Sequence, residues 1–436
     1  MDWQEDYKRK LVSPEEAVKV VKSGDRVVLP ATGEPPALGL ALAARKNDLT
    51  NVLVYTAALV TDYGWYDHGW EDSFTVTLDA YYGPLARPAM AERRADFSPR
   101  LYSLHFKPED ERRPGIRETD VYMVVVSPPN QHGYCSFGSS LWYKKSFAKR
   151  AKKVLAEVNS NMIRTYGDNF IHVSEIDHFV EYTPEPRPYI IPEFDPAAKS
   201  IAQHVNTLIR NGDTIQVGLG TTGGGMALCG AFDNKEDLGL HSELTIAGLV
   251  KLIRQGVFTG RRKTLHTGKA IATSFSGDAE DMAFVDGNPM FELYECEYVH
   301  SIKTIAAHDN MVAINNAIGV DLTGQIASES LGPRMWSGHG GQPEFAMGAV
   351  LSRGGRSITV LPSTASGGTV SRIVPALEPG TIVTIPRTFA DYIVTEYGVA
   401  SLLGKSQRER AEELTAIAHP DFRSELKKEA GKLFYP

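Results

Sequence analysis

The stretch Ser23-Gly24-Asp25-Arg26-Val27-Val28-Leu29 returns later in the chain as Asn211-Gly212-Asp213-Thr214-Ile215-Gln216-Val217. Each copy follows an amphipathic helical pattern and precedes a Gly-rich turn. A spacing of about 188 positions also separates Met123-Val124-Val125-Val126 from Met311-Val312-Ala313-Ile314. Solenoid repeats have periods of roughly 20 to 50 residues, so repetition at this length indicates two similar domains. We therefore predict an α/β protein of two tandem open domains, with a cleft between them as the natural place for chemistry.

The expected strands are almost entirely apolar, which is typical of parallel strands covered by helices on both faces. Four such runs stand out: Val121–Val126, Ile215–Leu219, Met311–Ile314 and Ile358–Leu361. Each half is therefore predicted to hold an open parallel sheet.

The boundary between the halves is predicted from prolines. Thr183–Pro196 contains five prolines, which remove backbone donors and favour extended chain. We assign residues 1–183 to an N-terminal domain, 184–196 to a linker and 197–436 to a C-terminal domain.

Helix starts are predicted at Ser13-Pro14-Glu15-Glu16 and Asp195-Pro196, where a capping side chain precedes Pro. The first helix is expected to end at Gly24. The segment from Lys405 to the last residue alternates charged and apolar positions and is predicted to form two amphipathic helices on the second domain.

Composition excludes several functional classes. The formal net charge is −7, and no basic block exceeds Arg261-Arg262-Lys263, which argues against nucleic-acid binding. There is no secretory pattern at the start and no apolar run of transmembrane length, so we expect a cytoplasmic protein that does not enter a membrane. Three distant cysteines fit a reducing compartment, and the histidines show no metal-ligand spacing, so no metal is expected.

The run Gly218-Leu219-Gly220-Thr221-Thr222-Gly223 follows a predicted strand and is expected to open a helix from Met226 to Phe232. Clustered N–H groups there would suit an anion or a developing oxyanion. A tight turn without a ligand is the alternative. A dinucleotide site is also open, because Glu243 lies 20 positions after Gly223, the spacing of a ribose-binding acid.

Glu243 itself is expected at the end of a short strand and the start of a helix running to Gln255. A carboxylate held ionised at a helix N-terminus could act as a nucleophile, although a simple helix-capping role fits the same position.

Ser337–Phe345 is the third candidate segment, because Gly338, Gly340 and Gly341 imply close backbone approach before a helix from Phe345 to Leu351. His339 is either an acid or base or a packing residue.

Taken together, these segments resemble the family I coenzyme A transferases of the 4-hydroxybutyrate or acetyl-CoA hydrolase/transferase branch, over nearly the whole chain. The motifs that carry the resemblance are Ser127–Tyr134, Glu157–Thr165, Ile171–Asp177, Leu240–Glu243, Leu265–Lys269, Gly338–Phe345, Val394–Gly398 and Ile417–Arg423.

The resemblance implies the CoA-transferase fold and a catalytic role for Glu243, which would attack an acyl-CoA thioester. A glutamyl anhydride and then a glutamyl-CoA thioester would follow in a ping-pong cycle. The N–H groups of Gly338, Gly340 and Gly341 would then stabilise the oxyanion at the thioester carbonyl or the pantetheine arm of CoA. His339 would be a further substrate- or CoA-binding residue.

Gln216 and the run Gly218, Gly220, Thr221 and Gly223 would line the acyl side. CoA would be a substrate and covalent intermediate rather than a tightly bound cofactor. The expected partners are acyl-CoA and small carboxylates, and the family leads us to expect a homodimer or a dimer of dimers.

Substrate and reaction outcome stay open at this point. A short acid such as 4-hydroxybutyrate, butyrate or acetate is expected. The aromatic stretch Asp62–Trp70 could instead favour a larger cyclic carboxylate, although such aromatics are more often core. A thioesterase on the same scaffold and a non-enzymatic acyl-CoA sensor are the remaining alternatives.

Overall fold

The computed structural model of the chain describes residues 2–79, 83–185, 188–191 and 193–435. Two compact units are present, one formed by residues 1–188 and 285–298 and the other by residues 189–284 and 299–436. Among the described helices, none has the length and apolar character that a bilayer span requires.

The strands, in chain order, are β1 (Arg26–Val28), β2 (Val52–Thr56), β3 (Phe74–Asp79), β4 (Ala95–Ser98), β5 (Val121–Val126), β6 (Tyr134–Ser136), β7 (Lys153–Val158), β8 (Tyr166–Gly167), β9 (Phe170–His172), β10 (His178–Glu181), β11 (Thr214–Val217), β12 (Gly239–Leu244), β13 (Ala270–Ser274), β14 (Phe291–Leu293), β15 (Met311–Asn316), β16 (Gly319–Asp321), β17 (Ile326–Ala327), β18 (Ser330–Leu331), β19 (Arg334–Met335), β20 (Arg356–Val360), β21 (Thr364–Ala365), β22 (Val370–Ser371), β23 (Ile373–Val374), β24 (Tyr392–Thr395) and β25 (Gly398–Ser401).

The α-helices are α1 (Trp3–Lys10), α2 (Pro14–Ala17), α3 (Pro36–Ala43), α4 (Arg87–Ala91), α5 (Lys107–Asp110), α6 (Lys144–Arg150), α7 (Ala198–Leu208), α8 (Leu249–Arg254), α9 (Ala279–Val285), α10 (Cys296–Val299), α11 (Ile302–Ala306), α12 (Gln342–Leu351), α13 (Gln407–Ile417) and α14 (Pro420–Phe434). Short 3-10 helices occur at Val18–Val20, Pro84–Ala86, Tyr102–Leu104, Val173–Glu175, Gly223–Gly225 and Ser366–Gly368.

The first unit contains a parallel sheet in the order β10-β7-β5-β1-β2-β3-β4. The central strand β5 is buried along its whole length, because helices cover both faces of a parallel sheet. The small pair β8 and β14 lies in the same unit.

The second unit repeats this topology. Its strands follow the order β25-β24-β20-β15-β11-β12-β13, in which only the edge pair β24 and β25 is antiparallel. The series β20-β15-β11-β12-β13 corresponds strand by strand to β7-β5-β1-β2-β3. The predicted pair of parallel α/β domains is confirmed.

The repeated turn that opens each sheet has one geometry in both units. Gly24 and Gly212 adopt φ values of +85° and +84°, which only glycine reaches without strain. The next residue caps the turn in each copy, since the Asp25 carboxylate accepts from Lys22 N at 2.8 Å and the Asp213 carboxylate from Arg210 N at 2.7 Å. The shared sequence therefore encodes a turn before the first inner strand.

Residues 285–298 belong to the first unit, although they lie within the predicted C-terminal domain, residues 197–436. Glu295 accepts hydrogen bonds from the backbone N–H and the hydroxyl of Ser146, at 2.8 and 2.5 Å. Cys296 N also donates to Trp142 O at 3.0 Å. These contacts are between residues about 150 positions apart, which local sequence patterns do not reveal.

Residues 186, 187 and 192 of the predicted linker lie outside the described residues. Its described residues form no helix or strand. The two predicted C-terminal helices are confirmed as α13 and α14. Both pack on the apolar core of the second unit through Leu414 and Leu426.

Several predicted helix boundaries were wrong. The first helix ends at Ala17 and continues only as a 3-10 turn to Val20, short of Gly24. The region Met226–Phe232 forms hydrogen-bonded turns rather than an α-helix. The preceding glycines make a 3-10 turn, and Gly230 has φ +90°, which is incompatible with a helix.

Candidate functional site

Glu243 is the next-to-last residue of β12, an inner strand of the second unit between β11 and β13. The following helix, α8, starts at Leu249, so the expectation that Glu243 begins that helix was wrong. The side chain of Glu243 is 17% exposed. The carboxylate therefore lies at the carboxyl edge of a parallel sheet, where ligands of open α/β domains bind.

Two donors hold one oxygen of this carboxylate. Glu243 Oε2 accepts from Gly341 N at 2.9 Å and from His300 Nε2 at 3.1 Å. Within the described part of the chain, Oε1 accepts no hydrogen bond. The carboxylate is thus fixed through one oxygen, while the other is available to react.

Gly341 brings the start of another helix to Glu243. It is the residue before α12, a helix of 10 residues with Pro343 in its first turn. The helix begins at Gln342, three residues before the predicted start at Phe345, because Pro is well suited to a first turn. The positive end of the α12 dipole attracts negative charge at Oε2. Glu243 is therefore at a helix N-terminus, but that of α12 rather than α8.

Only glycine fits at position 341. A Cβ there would lie 2.6 Å from His300 Cδ2 and 2.7 Å from His300 Nε2, and closer still to Glu243 Oε2. Real Cβ atoms essentially never approach other atoms within 3.0 Å. The absence of a side chain at Gly341 is what lets the three groups meet.

His300 is the site residue that the sequence analysis did not identify. Its side chain is fully buried and its ring packs against Phe345, with centroids 5.1 Å apart. The residue before it is anchored from β12, because His241 Nε2 lies 2.8 Å from Val299 O. Burial, reinforced by the neighbouring His308, lowers the pKa of His241 well below its ordinary value, so His241 is neutral and donates this bond from Nε2.

β12 therefore carries both Glu243 and His241, and His241 positions the backbone next to His300. No sequence motif around His300 indicated its role, and it was noted only as a histidine without metal-ligand spacing. Its role depends on a contact across 57 positions.

The Gly218–Gly223 run follows β11 and packs against two asparagines at the end of β15. A Cβ at Gly218 would lie 2.5 Å from Asn315 Oδ1, and a Cβ at Gly220 would lie 2.7 Å from Asn316 Cγ. Asn316 Oδ1 also accepts from Gly223 N at 2.8 Å. The glycines are needed here for close approach to these amides.

Gln216 and Asn315 form a reciprocal amide pair at the base of this loop. Gln216 Nε2 donates to Asn315 Oδ1 at 3.1 Å, and Asn315 Nδ2 donates to Gln216 Oε1 at 2.9 Å. Thr221 lies at the exposed tip, and its carbonyl accepts from Asp195 N at 2.9 Å.

Asn316 links this loop to the Glu243 site. Its side-chain amide contacts Gly223 N and Leu219 O, and its carbonyl accepts from Gln342 Nε2 at 3.0 Å. Gln342 directly follows Gly341. The two glycine segments singled out in the sequence are thus joined within the second unit by one asparagine.

The rest of the 338–341 segment lies beside these contacts. Gly338 is buried, and Gly340 adopts φ +58°. His339 is half-buried and directs Nδ1 at the carbonyl of Gly340. The histidine that contacts the glutamate is His300, so the geometry gives no support to His339 as the acid or base.

The aromatic stretch in the first unit is largely core. Tyr63 and Trp65 are 5% and 4% exposed and stack with ring centroids 4.4 Å apart. Trp65 also packs against Phe74 of β3. Their burial favours the core interpretation of this stretch over a substrate-facing one.

Comparison with known proteins finds two family models in this chain. Residues 1–192 match the acetyl-CoA hydrolase/transferase N-terminal domain, and residues 277–430 match the C-terminal domain of that family. The 4-hydroxybutyrate coenzyme A transferase of Clostridium kluyveri is 41% identical over 100% of both chains.

Two further similarities cover nearly the whole chain. The succinyl-CoA:cyclohexane-1-carboxylate CoA transferase of Geobacter metallireducens is 38% identical over 99% of this chain and 97% of its own. The crystal structure of 4-hydroxybutyrate CoA-transferase from Porphyromonas gingivalis superimposes with a TM-score of 0.79 at 36% identity, over 99% of this chain and 100% of its own.

Proposed function

Because the chain belongs to the acetyl-CoA hydrolase/transferase family and is a CoA-transferase, we propose that it moves CoA between a short-chain acyl-CoA and a free carboxylate through covalent intermediates on Glu243. The observation that carries the proposal is the asymmetric carboxylate, in which Oε2 has two donors and Oε1 has none among the described residues.

The proposed cycle starts with attack of Glu243 Oε1 on the thioester carbonyl of the donor. The C–S bond breaks, CoA leaves as a thiolate, and an acyl-glutamyl anhydride remains. The thiolate then attacks the glutamyl carbonyl carbon, the acid leaves as a carboxylate, and a glutamyl-CoA thioester forms. An acceptor carboxylate runs the same steps in reverse, so no proton is consumed and the thioester energy is conserved.

The donors to Oε2 have a second role in this cycle. When thiolate or acceptor attacks the glutamyl carbonyl, negative charge develops on Oε2, the oxygen that Gly341 N and His300 Nε2 contact. Preorganised donors aimed at such an oxygen stabilise the transition state, and each typically contributes 10²- to 10³-fold in rate. The same two groups would therefore orient the nucleophile and serve as the oxyanion hole for its own acyl derivative.

The Gly218–Gly223 loop, with Gln216 at its base, is proposed to line the acyl group, and Gly338, His339 and Gly340 to contact CoA. The hydrogen bonds of Asn316 support the acyl-binding role of the loop, because they join it to Gln342, the first residue of α12 and the neighbour of Gly341. Substrate binding to the loop would thus be coupled to the position of Gly341.

The acid is proposed to be short, such as 4-hydroxybutyrate, butyrate or acetate. Relatives that match nearly the full length are named for 4-hydroxybutyrate, butyrate and acetate, and one is named for cyclohexane-1-carboxylate. The buried aromatics of the first unit offer no separate reason to prefer a ring. A panel of acceptors with acetyl-CoA, ranked by kcat/KM, tests this choice, and a preference for cyclohexane-1-carboxylate over butyrate would contradict it.

The covalent step is tested by incubating the enzyme with acyl-CoA, reducing with borohydride and mapping peptides by mass. Modification is expected on the peptide that contains Glu243, with none in Glu243→Gln and an unchanged amount in Glu236→Gln, which alters an exposed glutamate. A fully active Glu243→Gln enzyme would refute the proposal. CoA release without any acceptor at the transferase rate would instead establish a thioesterase.

The assembly is proposed to be a homodimer or a dimer of dimers, as expected from the family resemblance. Light scattering of the purified chain measures the molar mass directly, and a monomer at micromolar concentration would contradict this proposal.

A further inference from the structure

Lys144 is a buried lysine of the first unit. It is the first residue of α6, and only 1% of the residue is exposed. Among the described residues, no carboxylate, carbonyl or hydroxyl forms an ion pair or hydrogen bond with its Nζ. The next residue, Lys145, is paired with Asp168. Burying an ammonium without a counter-charge is strongly unfavourable, so the group either loses its proton or takes an anion as its counter-ion.

The ammonium lies beneath the loop that follows β1. Gly33 in this loop has φ +68°, and a Cβ there would lie 3.3 Å from Lys144 Nζ. The hydroxyl of Thr32 in the same loop is hydrogen-bonded to that of Ser140, in the segment between β6 and α6. The loop beside Lys144 is thus tied to the segment that leads into α6.

These two connections diverge at the topological switch point of the first sheet. From β1 the chain passes through α3 to β2 on one side, and from β5 it passes through α6 to β7 on the other. Open α/β sheets bind ligands in the crevice outside the carboxyl ends of such a strand pair. The equivalent position in the second unit, between β11 and β15, holds the Gly218–Gly223 loop and Asn316.

We propose that this crevice of the first unit is a carboxylate-binding site, in which the Lys144 ammonium is the counter-ion. A single ammonium balances one negative charge, which fits a carboxylate better than a phosphate dianion. Burial lowers the pKa of Lys144 to about 7, and a bound anion would restore the charged form. The identification of this carboxylate as an acid substrate rests on the proposed function. The binding of a carboxylate at Lys144 is inferred independently of that function.

The site is tested in full-length Glu243→Ala protein, where binding is measured without turnover. Butyrate labelled with carbon-13 at its carboxyl is titrated and followed by NMR. Lys144→Met is expected to weaken binding at least tenfold, while Lys145→Met, the adjacent and paired lysine, leaves it within twofold. Equal affinity in the two variants would overturn the proposal, and so would displacement of butyrate by a lower concentration of inorganic phosphate.

Stability provides a second readout. Lys144→Met replaces an unpaired buried charge with an apolar side chain of similar length, so its melting temperature is expected to rise above that of the parent. A lower melting temperature would show that Lys144 has a structural role and would overturn the proposal. Absence of a CoA adduct on Glu243 would refute the proposed covalent cycle and leave this binding result unaffected.

Discussion

Adding one methyl group at Gly341 should separate the nucleophile from its donors. In Gly341→Ala the new Cβ would be 2.7 Å from His300 Nε2, against 3.4 Å or more for an ordinary contact. His300 is fully buried and packed on Phe345, so it has little room to move. Because the buried ring cannot give way, the residue at position 341 must withdraw from it, and its N–H then moves away from Glu243 Oε2.

The size of the effect follows from this displacement. Relief of the overlap requires a shift of about 0.7 Å or more. A misplacement of about 1 Å typically costs about a hundredfold in rate, which corresponds to about 3 kcal/mol in the barrier. The backbone of Gly341 has φ −83°, a value that alanine adopts freely, so the cost in unfolding free energy comes from overpacking and should be about 1 to 3 kcal/mol.

The assay is the single-turnover rate of glutamyl-CoA formation at saturating acyl-CoA, measured by rapid quench and mass spectrometry. Gly431→Ala is the matched control, because it adds the same methyl in α14 with no atom within 4 Å. Its rate should equal that of the parent. A Gly341→Ala enzyme within threefold of the parent, with the same melting temperature, would refute the reasoning about close approach.

Three further predictions follow from contacts in the two units. Removing the His300 donor in His300→Phe should lower the rate of glutamyl-CoA formation by about 10²-fold while the melting temperature stays within a few degrees; a near-parent rate would show that Gly341 N alone suffices. Asn316→Ala should lower the free energy of unfolding by about 1 to 2 kcal/mol, because Gly223 N loses its acceptor. The same variant should raise KM for acyl-CoA. An unchanged KM would show that the Gly218–Gly223 loop does not contact the acyl group. The Glu157 carboxylate accepts hydrogen bonds from Ala37 N and Leu38 N, and burial raises its pKa to about 7. Between about pH 4.5 and 7, Glu157 is therefore protonated in the folded state and ionised in the unfolded state. Unfolding free energy of the parent should therefore fall with rising pH across that window, relative to Glu157→Gln, by up to about 3 kcal/mol in urea titrations; parallel pH profiles would contradict this.

Local sequence was sufficient for the elements whose formation depends on nearby residues. The turn at Gly24-Asp25 and its copy at Gly212-Asp213 needed only a glycine for positive φ and an aspartate to cap the turn. Apolar runs were sufficient to predict parallel strands, because burial on both faces requires them. Helix lengths were less predictable, since three consecutive glycines at 223–225 form a 3-10 turn before the region where a helix from Met226 to Phe232 was expected.

The repeat, the parallel strands and Glu243 as the candidate nucleophile could all be predicted from the order of residues along the chain. The groups that surround the Glu243 carboxylate could not, because they come together only in the folded protein. His300 and Gly341 are 57 and 98 positions away from it. The three residues meet because Glu243 lies near the carboxyl end of β12, His300 directly follows α10, and Gly341 directly precedes α12. No local pattern encodes such a meeting, because it depends on strand order and on the packing of α12 across the sheet. The isolation of Lys144 among the described residues is likewise a tertiary property, because no local pattern shows which side chains surround a lysine.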